Sequence, residues 1–380
     1  MDRSIAVADR ALALHWITGP RYDLLLYIAP ALVSYALLYL HLGLGVPALL
    51  IYWAWTLSLD GPHVFGTLSR TYFDREEWRT RGRLLLLSLL WFLPGPLLVA
   101  GGVAFDSRLP YLWFLIFANL WAYWHVVRQH YGFLALYQRK NGETAGRENR
   151  IDYWFFYLVM LAPFVCFVLY NPEARMALGL GPVRGNFEEL LIVVAKGATW
   201  SALAVYAAKE LRRWWAGQPL NAPKNLFLAA CVPLHMVVCT VESVAAHIPI
   251  LLFTVLVTQY HNFQYTGIVW YYNRNRYGGD GDGRRFGWAS LLSRNFVTYY
   301  AAGVLFTVLL RYGNWGLNGM EVPGGPGPNA VSATAIGAGL TIADLAIATW
   351  WGIAFHHYYL DQRIWRVSKD QRLKSDLKVA

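Results

Sequence analysis

Residues 84–104 read LLLLSLLWFLPGPLLVAGGVA, twenty-one positions without a charge, directly behind the strongly charged RTYFDREEWRTRGR of residues 70–83. A hydrocarbon layer about 30 Å thick is crossed by about 20 helical residues. Inside that layer the backbone must satisfy its own N–H and C=O groups, which a helix does. The stretch is therefore expected as a membrane-crossing helix. Runs of similar length recur from residue 22 almost to the C-terminal end, a pattern that neither a cleaved leader nor a single anchor accounts for. The composition agrees: 56% of residues are hydrophobic and 15% charged, against about 25% charged in soluble domains.

Apolar length, punctuated by Gly, Pro and charge, predicts ten helices over 22–43, 46–69, 84–104, 110–137, 152–170, 189–208, 225–247, 249–273, 288–311 and 335–359. The loops after the second, fourth, sixth and eighth spans are basic, as in QRKNGETAGRENR (138–150) and KELRRWW (209–215), whereas the others carry few cations. Cytoplasmic loops are the ones enriched in Lys and Arg. Both termini are therefore expected in the cytoplasm, with even-numbered helices running inward. The expected fold is all-α, a polytopic integral membrane helix bundle forming one transmembrane domain over 1–380. Short cytoplasmic ends are expected at 1–20 and 361–380, a flexible non-cytoplasmic loop at 313–334, and a bacterial inner membrane as the location.

The formal charge of +10 lies in short clusters between apolar runs. It reads as an orientation signal rather than a nucleic-acid patch, so membrane lipids are expected as partners and nucleic acid is not. Cys166, Cys231 and Cys239 sit inside apolar segments without CxxC or paired spacing, which implies neither a disulfide framework nor a cysteine-based zinc site.

The histidines are placed selectively. His63 falls on the second span, His125 and His130 on the fourth, His261 on the eighth, and His356 with His357 on the tenth, all of them inward-running helices. At about 1.5 Å per residue these side chains lie roughly 9 to 20 Å before the arginines that follow them, in one slab of the cytoplasmic half. His235, on the outward-running seventh span, reaches a similar level about 16 Å beyond Lys224. Polar groups at such depth are costly, so they face the bundle interior and pair. Asp60, His63, Thr67 and Arg70 follow i, i+3, i+7, i+10 spacing along one helix face, interrupted by Pro62, while His357 and Asp361 are i, i+4, as are His261 and Tyr265.

A metal-bound imidazole commonly gives its second N–H to a carboxylate or carbonyl. The six histidines are accordingly expected as metal ligands and Asp60 and Asp361 as the carboxylates that orient them, Asp60 being able to ligate as well. In HVVRQH (125–130) the two rings are about 140° apart on an ideal helix, so they serve different metals or flank one awkwardly. His235, Cys239 and Glu242 share a face of the seventh span, so Glu242 is expected as a partner of His235, with a proton relay or a metal carboxylate as the other readings. Imidazole suits Zn, Cu, Fe and Ni. A histidine-dominated site in an apolar bundle points to one or two irons acting with O2 on a hydrophobic substrate, with zinc or copper as the alternative metal.

With DGPH (60–63), HVVRQH (125–130), YHNFQY (260–265) and HHYYLD (356–361), the chain resembles the polytopic, histidine-rich non-haem iron membrane oxygenases. That group comprises fatty acid desaturases and hydroxylases, alkane hydroxylases, and bacterial β-carotene cleavage dioxygenases of the bacteriorhodopsin-related-protein type. The resemblance implies an oxidoreductase that oxidises a lipid, fatty acyl or isoprenoid substrate with iron and draws on an electron donor at the cytoplasmic side. The motifs cover about a tenth of the chain. Desaturases carry two further HxxHH-like boxes, where this sequence has one HH pair.

Three other classes compete, one of them a haem-binding electron carrier with histidines as axial ligands. A membrane acyltransferase would use one intramembrane His as general base and tolerate substitution of the rest. A transporter or structural membrane protein would line a polar path with histidines, and the helix-breaking stretches 60–63 and 94–96 suit it.

Overall fold

The computed structural model describes residues 12–143, 146–279, 283–315 and 329–379. Residues 1–11 of the N-terminal segment and 316–328 of the expected 313–334 loop lie outside the described residues. Of the described residues, 77% are helical. Among the described residues, strand is limited to a parallel pairing of Leu12–Ala13 with Leu220–Asn221 and a small antiparallel hairpin of Ala335–Gly337 with Leu340–Thr341. Five helices there are long and apolar enough to cross a membrane: Pro20–Leu42, Arg75–Ala104, Glu148–Tyr170, Asn186–Trp215 and Ala222–Thr240. On Asn186–Trp215, Leu190, Val193, Val194, Trp200 and Val205 face outward while Thr199 and Lys209 are buried. That inversion of the soluble pattern is the signature of a helix solvated by lipid.

Helical segments occupy every apolar stretch identified in the sequence, but boundaries differ, notably in the last, seventh and ninth stretches. The last long helix is Ile342–Ile364, not 335–359. Residues 335–341 form the hairpin, with positive φ at Gly337, Ala338 and Gly339, and Thr341 then starts the helix through a reciprocal capping box with Asp344. Asp361 is thus inside a helix rather than in a tail. The seventh stretch ends at Thr240 because Val241 is extended. Glu242 consequently leaves the face of His235 and accepts from Arg184 Nη2 at 2.6 Å, half-exposed; the expected His235–Glu242 pairing is corrected. The ninth divides into Trp288–Leu292 and Phe296–Trp315.

The chain forms two compact units, Met1–Ala48 with Val126–His261 and Leu49–His125 with Asn262–Lys378. The boundaries at 48/49, 125/126 and 261/262 all fall within helices, Ala48–Trp55, Leu109–Lys140 and Ile250–Tyr277, so no linker marks them in the sequence.

In the first unit, Arg147–Tyr170, Asn186–Trp215 and Ala222–Thr240 pack around Phe156, Met160, Phe227 and Leu234. Their polar ends are tied by a buried ion cluster. Asp152 accepts from Lys209, from Lys224 at 3.0 Å and from Gln138 at 3.0 Å. Lys224 also reaches Glu143 at 2.9 Å, and Lys209 reaches Glu210 at 2.8 Å.

In the second unit small residues let helices approach closely, as membrane bundles require. A Cβ on Gly95 would lie 2.2 Å from the Ala348 carbonyl oxygen, and one on Gly352 would lie 2.7 Å from Phe92 Cα. These contacts hold Ile342–Ile364 against Leu89–Phe92 and Pro94–Ala104. Gly61 is likewise closed in by Thr307 of Phe296–Trp315.

Just ahead of Gly61–Thr71 the chain makes a π-helical turn at Thr56–Asp60, closed by Gly61 N–H to Thr56 O. The cause is Pro62, which has no N–H to give the carbonyl four residues back and whose ring would press against it. That carbonyl belongs to Ser58, and the Tyr300 hydroxyl donates to it instead.

Candidate metal centre

Three helices of the second unit bring His63, His125, His357 and Asp361 together. One ligand atom from each lies within 4.8 Å of all the others, and none of the four residues is more than 7% exposed. His63 comes from the first turn of Gly61–Thr71, His125 from Leu109–Lys140, and His357 with Asp361 from consecutive turns of Ile342–Ile364. The Nε2 atoms of His63 and His357 are 2.7 Å apart. His125 stacks on Tyr358, with centroids 4.3 Å apart and planes at 24°, and its ring centre is 5.0 Å from that of His357.

The polar atoms around this group determine how His357 is presented. Thr67, one turn beyond His63, places its hydroxyl 2.7 Å from His357 Nδ1 and donates to Asp361 Oδ1 at 2.8 Å. Tyr265 also donates to Asp361 Oδ1 at 2.8 Å, with Thr67 Oγ1 2.6 Å away. An ionised carboxylate only accepts, so it draws both hydroxyl protons. The single Thr67 proton is then spent, and the hydroxyl oxygen accepts from His357 Nδ1–H. The network therefore assigns the proton to Nδ1, as tautomers must be assigned from their partners. Nε2 of His357 carries a lone pair directed at His63. Asp361 Oδ2, the oxygen not used by the hydroxyls, stands 3.8 Å from that same Nε2.

This donor set fits a metal ion. Three imidazole nitrogens and one carboxylate oxygen converge in a buried space, one imidazole is held in the ligating tautomer, and the carboxylate is held through its other oxygen. Such orientation by hydrogen-bonded neighbours is typical of metal sites. Beyond the centre, Arg70 lies between the rings of Tyr272 and Trp365, 4.1 and 3.7 Å from their centroids, and donates to Ile364 O at 2.9 Å.

The remaining site residues expected from sequence have other surroundings. Neighbours on a helix point about 100° apart. His356 accordingly turns away from His357, and its Nε2 meets the Tyr72 hydroxyl at 2.8 Å; that hydroxyl donates to Leu85 O. Asp60 is half-buried at the end of the π-helical turn and stands outside the group of four. His130 and His261 belong to the first unit. There His130 groups with Cys231 and His235, its ring centre is 6.2 Å from that of His261, and the His261 carbonyl accepts from Gln129. The set of six histidines is thus brought together as three, with Asp361 as the fourth donor.

Thr67 and Tyr265 were not among the site residues expected from sequence. The helical spacing of Thr67 from His63, i+4, was the signal that could have found it. Nothing in the sequence couples Tyr265 to Asp361, because that contact depends on the packing of two distant helices. Comparison with family models, with curated proteins and with solved structures returns no match.

Proposed function

We propose that the protein is a membrane-embedded non-haem iron oxygenase whose second unit holds one iron through His63, His125, His357 and Asp361 and oxidises a hydrophobic, membrane-dissolved substrate such as a lipid, fatty acyl chain or isoprenoid. The observation that carries this reading is the convergence of the four donors with the Thr67–Asp361–Tyr265 hydrogen-bond system behind them. Two or three imidazoles with one carboxylate form the ligand type of non-haem iron oxygenases, and their mixed N and O donors suit copper(I) less well than thiolate or thioether sets do.

Iron bound there would supply the activation of O2. The chain's own residues do the rest. Thr67 fixes the His357 proton on Nδ1, Tyr265 shares the load on Asp361, and Tyr358 restrains the His125 ring. Burial of all four ligands excludes water, which protects reactive species from side reactions. An apolar helix bundle suits a substrate that arrives from the lipid phase.

The same reading takes the chain across a bacterial inner membrane ten times with both termini in the cytoplasm. Its support is a helical segment at each of the ten apolar stretches and the concentration of basic residues in alternate loops.

Elemental analysis of the full chain purified in detergent tests the proposal. The expected result is close to one iron per chain, lost in His63→Ala, His125→Ala and His357→Ala and kept in His356→Ala. An acyltransferase or a transporter with a polar histidine path needs no bound metal. Iron-free wild-type protein, or iron content indifferent to all three ligand substitutions, would refute the assignment.

A further inference from the structure

We propose that the first unit carries a separate, thiophilic metal site, formed by His130, Cys231 and His235 with Met160 beside the sulfur, and that it takes copper(I). Cys231 and His235 are i, i+4 on Ala222–Thr240 and so present both donors from one face, while His130 comes from Leu109–Lys140. One ligand atom from each of the three residues lies within 4.8 Å of the others. The His130 and His235 rings are 5.7 Å apart and nearly perpendicular, at 86°, an arrangement in which two imidazoles can aim nitrogens at one point from different sides. Met160, on Arg147–Tyr170, adds a fourth soft atom, its Sδ 3.9 Å from Cys231 Sγ. His130, Cys231, His235 and Met160 are all fully buried.

Donor type separates this group from the centre in the second unit. Thiolate and thioether select soft ions, copper(I) above all, whereas imidazole with carboxylate suits iron. Charge points the same way. The group of three contains no carboxylate, so one thiolate is its whole negative charge. Copper(I) with that thiolate and two neutral imidazoles is electrically neutral, while zinc(II) would leave a net positive charge in an apolar interior, which is costly. Binding replaces the Cys231 thiol proton with the metal and releases that proton to solvent. No electron is transferred in this step. The site stands independently of the iron reading, because its ligands belong to a different unit.

Anaerobic titration of the full chain with copper(I) against a chromophoric copper(I) chelator tests the proposal. Wild-type protein should withdraw close to one equivalent. Cys231→Ser and His235→Ala should weaken this by roughly 100-fold or more and Met160→Leu by roughly tenfold, while His63→Ala, which removes a donor of the other centre, should leave it unchanged. Should Cys231→Ser fail to fold, copper-edge X-ray absorption of the loaded wild type decides the matter. Mixed nitrogen and sulfur scattering is expected, and an all-nitrogen shell overturns the site. Copper(I) uptake indifferent to Cys231 and His235, or uptake of zinc(II) in preference to copper(I), also overturns it.

Discussion

Thr67→Val isolates the contribution of one hydroxyl to the candidate iron centre. The methyl that replaces it is of similar size, so packing against Tyr265 and His357 is kept. Two hydrogen bonds are lost, the one from His357 Nδ1 at 2.7 Å and the one to Asp361 at 2.8 Å, while Tyr265 still donates to Asp361. A buried N–H without an acceptor costs ~1–3 kcal/mol. His357 escapes that cost by moving its proton to Nε2, where His63 Nε2 stands 2.7 Å away as acceptor. The proton then occupies the position a metal needs, and iron binding has to reverse the shift. Iron affinity is therefore expected to fall about 10–100-fold, equivalent to ~1.4–2.7 kcal/mol. Competition with a chromophoric iron(II) chelator under anaerobic conditions measures it, with thermal unfolding in detergent as the control for folding. Thr67→Ser should restore binding. Wild-type affinity in a folded Thr67→Val protein would refute the tautomer argument, and with it the role given to the network.

Two further substitutions probe the scaffold. Gly95→Ala introduces a carbon 2.2 Å from the Ala348 carbonyl, so the helix carrying His357 must shift; a loss of ~1–3 kcal/mol should appear as a lower unfolding temperature in detergent together with weaker iron retention. Asp152→Asn keeps the shape of the ion cluster and removes its central charge. Lys209 retains Glu210 and Lys224 retains Glu143 and Glu210, so the loss should be about 3 kcal/mol, at the low end for breaking a buried pair, with iron content in the surviving folded protein unaltered.

Helix placement was largely legible because long apolar runs separated by charge have few other readings. Local backbone chemistry was less so. The hairpin at 335–341 is apolar enough to join the helix that follows, and only the positive φ values around Ala338 and the Thr341–Asp344 cap separate the two. The site was legible in residue type and depth but not in grouping. Periodicity correctly paired His357 with Asp361 on one face and warned that His125 and His130 diverge. It could not tell which of His356 and His357 turns inward, because that depends on how Gly95 and Gly352 seat the helix. Cys231 has no cysteine nearby in the sequence, yet its neighbours in space are His235, one turn along the same helix, and His130 and Met160 from two other helices.

The π-helical turn at Thr56–Asp60 also sets the phase of everything downstream. Its i→i+5 closure stores one residue more than an α-helix would, so excising a single position between 56 and 60 would let Ala48–Trp55 and Gly61–Thr71 fuse into one regular coil. His63, Thr67 and Arg70 would then rotate together by about 100° relative to the preceding turns. Chain length at this spot, together with the proline that calls for the wider turn, decides whether those three residues meet the partners described above.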